Sequence, residues 1–284
     1  MGAERRRTGM KTHDYPSDLT GEQWALIESH IPIGPGGGRP CKTDPRDVLD
    51  AIFYITRTGC QWRYLPGDLP PKSTVWRYFD RWRRDGTLDT IHDALRRKVR
   101  TQEKPYHPRT SASVDSQSVD TTSGGEQRGR DNAKNVDGRK RHIVVDSLGL
   151  LMAVLVTAAD VDDAKAAAEL FGRLEGQPMS KVKTMYGDSK YHNMKLYEWV
   201  EGNAHWDLTI VRRPKDAEGW VLLPIRWTVE RTFAWLGRCR RLSKDREKSV
   251  LSSESFVKLA MIQLMVKRLE PSGTDADFHY REAA

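Results

Sequence analysis

The stretch RKRHIVVDSLGLLMAVLVTAA, residues 139 to 159, limits the possible folds more than any other part of the chain. Two runs rich in β-branched and aliphatic residues flank DSLG, so the segment is expected to form two strands joined by a tight turn at Asp146 to Gly149. Its second arm, LGLLMAVLVTAA (148 to 159), is too short to cross a bilayer and fits a buried hairpin arm. Asp146 opens the turn and is given a structural role.

Around this hairpin the segments alternate. SASVDSQSV (111 to 119) reads as a strand and the Gly- and charge-rich SGGEQRGRDNAKNVDG (123 to 138) as a mobile loop. A helix is expected at about 162 to 174, a strand ending in VKTMYGD (182 to 188), a helix over 192 to 201, a fifth strand in WDLTIVRR, a helix in RWTVERTFAWLGRCRRL (226 to 242) and a last one in SESFVKLAMIQLMVKRL. The order β-β-β-α-β-α-β-α is that of an α/β domain, placed at 110 to 269.

The preceding region, 19 to 105, has a different grammar and reads as four helices. Thr20 and Gln23 have capping-box spacing ahead of Trp24, Ile27 and Ile31. Asp44-Pro45 starts a helix that buries Val48, Ile52 and Ile55 and stops at Gly59. In STVWRYFDRWRRDG (73 to 86), Val75, Phe79 and Trp82 form the apolar stripe while Arg77, Arg81 and Arg84 line another face. The compact turn GCQWRYLPGDLPPKST before it, which carries Arg63, resembles the connection of helix-turn-helix modules. The fourth helix, about 87 to 100, carries Leu88, Ile91, Leu95 and Val99. Residues 1 to 18 read as a flexible basic arm without the apolar core of a signal peptide, and 270 to 284 as a disordered polar tail.

Charge is concentrated rather than spread. The chain carries 47 Lys and Arg against 39 Asp and Glu, a net +8. Residues 1 to 110 hold 20 basic and 14 acidic side chains, and residues 224 to 248 hold 8 and 3. Both regions suit a phosphate-rich partner, which would bind less tightly as salt rises. The three cysteines, Cys41, Cys60 and Cys239, have no metal-binding spacing and leave one over from any pairing, which fits a reducing, cytoplasmic compartment.

Three acids stand at chemically suggestive places: Asp115 on the first strand, Asp188 at the carboxyl end of the fourth, and Glu230 in the helix after the fifth. Glu230 is one acid among five arginines in 226 to 242, and an Arg226–Glu230 pair at i, i+4 is worth only about 0.3 to 0.5 kcal/mol, too little to explain the cluster. Converging carboxylates repel unless cations neutralise them, so two Mg2+ ions are expected, one activating the attacking oxygen and one stabilising the leaving oxygen of a phosphodiester. Gly187 lets the backbone beside Asp188 approach a neighbour closely, whereas Asp160, Asp162 and Asp163 look like helix caps. His142 is assigned a structural place on its strand.

From about Tyr15 to Leu269 the chain resembles the DDE transposases of bacterial insertion sequences. YPSDLTGEQWALIESHIP, GGRPCKTDPRDVLDAIFYITRTGCQWRYLP and STVWRYFDRWRRDG resemble the family's helical end-binding region, and VDSQSV, GRKRHIVVDSLGLL, YGDSKY and RWTVERTFAWLGRCRRL its catalytic core. The resemblance implies a ribonuclease H-like core with a mixed five-stranded sheet, preceded by an all-α, helix-turn-helix-like DNA-binding domain. It implies Asp115, Asp188 and Glu230 as the catalytic, metal-binding triad, with Mn2+ able to replace Mg2+. Arg226 and Glu230 match the family's glutamate signature, while Leu223 stands for its tyrosine and Gly237 for its lysine. The cations assigned to DNA are Arg63, Arg77, Arg81, Arg84, Arg139, Lys140, Arg141, Lys190, Arg226, Arg231, Arg238 and Arg241. The implied activity is cleavage at terminal inverted repeats followed by joining of the 3'-OH ends to target DNA, by a homodimer acting in the bacterial cytoplasm at the nucleoid, with no nucleotide cofactor and no membrane. Two other readings are a metal-dependent nuclease or resolvase of the same fold, and a DNA-binding protein whose triad is idle.

Overall fold

A computed structural model of the chain describes residues 14–32, 43–103, 111–122, 124–175, 182–212 and 226–272. Most of the basic arm and of the polar tail, together with Cys41, Leu223 and the Arg226 side chain, lies outside the described residues.

The first helix, α1 (Gly21–Ala25), starts where the capping box predicts: Thr20 accepts from the Gln23 amide, and Gln23 returns the bond to the Thr20 backbone. In α2 (Pro45–Thr58) Asp44 caps the N-terminus and Gly59 ends the helix at φ 70°. Gly59 is held to glycine twice over, because a Cβ there would also come 3.0 Å from the Arg240 backbone. The bundle continues through a 3-10 turn (Trp62–Tyr64), α3 (Lys72–Arg84) and α4 (Thr87–Gln102). Val75, Phe79 and Trp82 are buried as their spacing predicts.

The sheet begins with β1 (Ser111–Asp120). The segment expected to be a mobile loop holds a short strand instead, β2 (Gly129–Asp131), which pairs antiparallel with the start of β3 (Val136–Asp146). Local polar bonds order it: Arg128 grips Asp137 with two nitrogens at 3.0 and 2.8 Å, and Asp131 accepts from Ser118 at 2.6 Å. The predicted hairpin is β3 and β4 (Leu151–Ala158), with Asp146 accepting from the amides of Leu148 and Leu150. Then follow α5 (Asp163–Gly172), β5 (Thr184–Gly187), α6 (Met194–Asn203), β6 (Asp207–Ile210), α7 (Arg226–Gly237) and α8 (Val250–Leu269). The strands lie in the order β4-β3-β1-β5-β6, with β2 sharing the β4 edge of β3. β4, β3 and β1 are antiparallel, while β5 and β6 run parallel to β1. The sheet therefore has six strands, β2 being one more than the five expected, and the other five have the mixed order expected of a ribonuclease H-like core.

Side-chain alternation gives the sheet two apolar faces. Ala112, Val114, Val144 and Leu155 pack with α5 and α6. Ile143, Val145, Val154 and Val156 pack on the other side, in one continuous core with α7, α8 and helices α1 to α4. The helical region is therefore a layer of the same molecule, sharing a core with the sheet. Phe79 of α3 and Phe256 of α8 meet with ring centroids 5.0 Å apart, and Trp62 lies 6.3 Å from Phe256. The free edge of β4 is blocked without a further strand. Arg173 donates to the Val154 carbonyl at 2.6 Å, and Glu254 accepts from the Val156 amide at 3.0 Å.

A buried ion pair joins the two regions: Arg100 of α4 reaches Asp146 of the hairpin at 2.7 Å. Replacing Arg100 with leucine leaves that carboxylate without its ion-pair partner and is expected to cost about 3 kcal/mol, read as a lowered urea midpoint at unchanged slope.

Candidate active site

β1 and β5 run side by side in parallel, with Ser113 opposite Tyr186. Two residues further along come Asp115, within β1, and Asp188, the first residue after β5 ends. Asp115 pairs with Ile143, which belongs to the core on the α7 and α8 side of the sheet. α7 packs against β1 and β3, and its Glu230 is exposed.

Local bonding orients each aspartate. Asp115 is half-buried and accepts from the Ser116 amide at 2.7 Å. Asp188, in extended backbone conformation, accepts from the Lys190 amide at 3.0 Å and so caps the 3-10 turn Ser189–Tyr191. Gly187 is needed for that turn to fold back: a Cβ there would meet the Tyr191 ring at 3.1 Å and Val114 at 3.2 Å. The Tyr191 phenol is buried, which pushes its pKa well up, and the charges of Asp115, Asp163 and Asp188 push it the same way. Among the described residues, no three His, Cys, Asp or Glu side chains lie close enough together to hold a metal ion.

The basic residues assigned to DNA divide into two groups. Arg139, Lys140, Arg141 and Arg241 are buried, which corrects their reading as phosphate contacts. Arg139 donates to the carbonyls of Glu126, Glu247 and Lys248 and pairs with the buried Asp245 at 3.2 Å. Lys140 donates to Val161 at 2.7 Å, and Arg141 to Leu242 at 2.8 Å. Arg241 bonds Glu247 at 2.7 Å and the Cys60 carbonyl at 3.0 Å. It turns inward because α7 stops at Gly237 and a separate 3-10 turn, Arg240–Leu242, follows, where one helix to 242 was expected. Arg231 is half-buried, lies over Trp227 (4.2 Å) and Trp235 (4.6 Å), and donates to the Leu148 carbonyl. By contrast Arg63, Arg77, Arg81, Arg84, Lys190 and Arg238 are exposed. Arg81 and Arg84 pair with Asp85 and Asp80, at 3.5 and 3.2 Å, and exposed pairs of this kind yield readily to a phosphate. The exposed aromatics Tyr64 and Trp76 lie beside Arg63 and Arg77 in sequence.

His142 is fully buried on β3, bonded through Nε2 to Thr157 at 2.9 Å and 3.5 Å through Nδ1 from Asp163. Its structural assignment holds. Burial lowers its pKa from 6.5 to about 4, against the opposing pull of Asp163. Because the folded value lies below the unfolded one, the unfolded chain binds more protons between the two. Stability is therefore expected to fall as pH drops from about 6.5 to about 4, by about 3 kcal/mol in all. Denaturant titrations across that range will read this slope, and His142→Gln should flatten it.

Reading the sequence missed Asp163 and Tyr191. Asp163 follows Asp162, the true cap of α5, and turns inward instead. The signal available was YGDSKY itself, in which an aromatic three residues after an aspartate can fold back only over a glycine.

Residues 106–265 match the family described as "Transposase DDE domain", and residues 19–92 match "Putative transposase of IS4/5 family". A "Putative transposase for insertion sequence element IS402" of Burkholderia cepacia is 30% identical over 128 residues, covering 43% of this chain and 60% of that protein. "Insertion element IS402 uncharacterized 16.2 kDa protein" of the same organism is 32% identical over 117 residues, covering 38% of this chain and 77% of that protein. The chain thus spans about 60% of the first relative's length. Among solved structures, "Crystal structure of a pre-cleavage Mos1 transpososome" aligns over 87% of this chain and 84% of that chain, at 8% identity and a TM-score of 0.31. No helix among the described residues is long and apolar enough to cross a membrane.

Proposed function

We propose, from the premise that this chain belongs to the DDE transposase family, that it binds the terminal inverted repeats of its insertion sequence, cleaves them and joins the freed 3'-OH ends to target DNA. The observation that best supports this reading is that Asp115 on β1 and Asp188 directly after β5 come from neighbouring parallel strands, and that α7, bearing Glu230, packs against β1. Hard carboxylate oxygens suit a small divalent cation. Mg2+, or Mn2+ in its place, would be held by Asp115 and Asp188, with Glu230 joining only if α7 brings it closer than it stands in this structure, and a pair of such ions would sharpen the attacking oxygen and stabilise the leaving one.

The remaining roles fall to the protein's own groups. Ser116 and Lys190 amides hold the two aspartates in place. Arg238, directly after α7, and Lys190, in the turn after Asp188, lie exposed and can neutralise phosphates there. The exposed arginines of α3, with Arg63, Tyr64 and Trp76, form a basic and aromatic surface for the terminal repeat, and the shared core fixes it relative to the sheet. Synapsis of two ends calls for two copies of the chain, working on DNA in the cytoplasm without a nucleotide cofactor. Water breaks the first phosphodiester and frees the 3'-OH, and the joining step then exchanges one phosphodiester for another, so no external energy source is needed.

The test is an assay with Mg2+, a linear DNA ending in the inverted repeats that flank the coding sequence, and a supercoiled plasmid. The expected products are nicked ends followed by repeat DNA joined to plasmid. Cutting without joining would make the protein a nuclease, and binding without cutting would make its triad idle.

A further inference from the structure

At the head of α5 two adjacent aspartates behave differently. Asp162 caps the helix, accepting from the amides of Ala164 and Lys165. Asp163 is buried and faces two cations and an imidazole: Lys140 Nζ at 3.5 Å and His142 Nδ1 at 3.5 Å from β3, and Lys190 Nζ at 3.6 Å from the turn after Asp188. A carboxylate at this depth needs a partner, and buried Lys140 already supplies a full charge from the sheet. Lys190 is different. Its side chain is 47% exposed, and holding a long side chain in one arrangement costs rotamer entropy that water would otherwise leave free.

What that contact does is mechanical. Lys190 bonds Asp188 through its backbone amide at 3.0 Å and meets Asp163 through its side chain, so one residue connects the two carboxylates. The next residue, Tyr191, is buried in the core beneath the turn. The turn bearing Asp188 is thus fastened at two points, to α5 by charge and to the core by an aromatic ring.

We propose that Asp163 is a positioning residue: acting through Lys190, it fixes the turn Asp188–Tyr191 and with it the direction in which the Asp188 carboxylate meets a divalent cation. This rests on the reading of Asp188 as a metal ligand. Carboxylates that orient a ligand in this way typically govern metal affinity by about 10- to 100-fold.

The sign of one substitution separates this from simple electrostatics. Lys190→Met removes a positive charge beside the cation site, and the relief of Coulomb repulsion alone would tighten binding. Loss of positioning would weaken it. Mn2+ titrations of the full-length protein without DNA, followed by the electron paramagnetic resonance signal of free Mn2+, are expected to show Lys190→Met and Asp163→Asn each raising the Kd about tenfold. The double variant should lose no more than either single one. Tighter or unchanged binding in Lys190→Met, or an additive loss in the double variant, overturns the proposal. If Asp163→Asn does not fold, the Lys190 variant decides, since its side chain is half in solvent. Asp188→Asn is titrated alongside. Should it bind Mn2+ as the parent does, the metal-ligand reading itself fails. Should it lose binding while Lys190→Met keeps it, only the positioning role fails.

Discussion

A fragment beginning at residue 106, with α1 to α4 removed, is expected to show no cooperative thermal transition and to aggregate, although it holds all three candidate acids. Phe256, Val257, Met261, Ile262 and Met265 of α8 are fully buried in the core that also contains Val48, Ile52, Phe79, Leu88 and Leu95 of the helical region. Exposing five such side chains costs on the order of 10 kcal/mol at roughly 1.5 to 3 kcal/mol each. Whole domains are stable by only about 5 to 15 kcal/mol, so the fragment has too little left to fold. The cut also removes Arg100 from Asp146 and the Cys60 carbonyl from Arg241. Circular dichroism melts and size-exclusion chromatography will check this. A monomeric fragment that melts cooperatively would show that the helical region folds apart from the sheet.

That shared core marks the limit of what the sequence reveals. Amphipathic stripes such as Val75, Phe79 and Trp82 say that a helix buries one face, but not whether it buries that face against its bundle neighbours or against a distant helix such as α8. The elements themselves were legible because apolar period and capping chemistry are local: Thr20 with Gln23, Asp44-Pro45, and the DSLG turn all fold as expected. The buried arginines were not. Arg139 and Arg141 look like surface charge in GRKR, and the carbonyls that satisfy them, from residues 126, 242, 247 and 248, come from loops that local patterning cannot bring near. The candidate site lies between these extremes. Asp115 could be placed on its strand and Asp188 at the end of its own from sequence, but that the two strands are parallel neighbours is something no local signal encodes. Asp162 and Asp163 show the same limit at the finest scale, since identical side chains one residue apart take opposite roles through helix geometry alone.

Asp188→Asn is expected to abolish metal-dependent cleavage while leaving the fold and the binding of terminal repeats within about twofold of the parent, because the repeat-binding surface proposed on α3 is untouched. The amide oxygen of asparagine can still accept from the Lys190 backbone, so the turn Ser189–Tyr191 keeps its cap. What is lost is the anionic oxygen that a hard cation requires. Metal ions contribute several kcal/mol to phosphoryl transfer, and at about 1.4 kcal/mol per tenfold a loss of about 4 kcal/mol slows nicking by roughly a thousandfold. Asp162→Asn is the matching control: it replaces one good cap by another, and neither stability nor nicking should change by much. End-labelled DNA nicking assays, run beside filter binding on the same preparations, separate the two effects. Equal nicking by Asp188→Asn and the parent would remove Asp188 from the chemistry, and with it the argument that neighbouring parallel strands supply two acids for a cation.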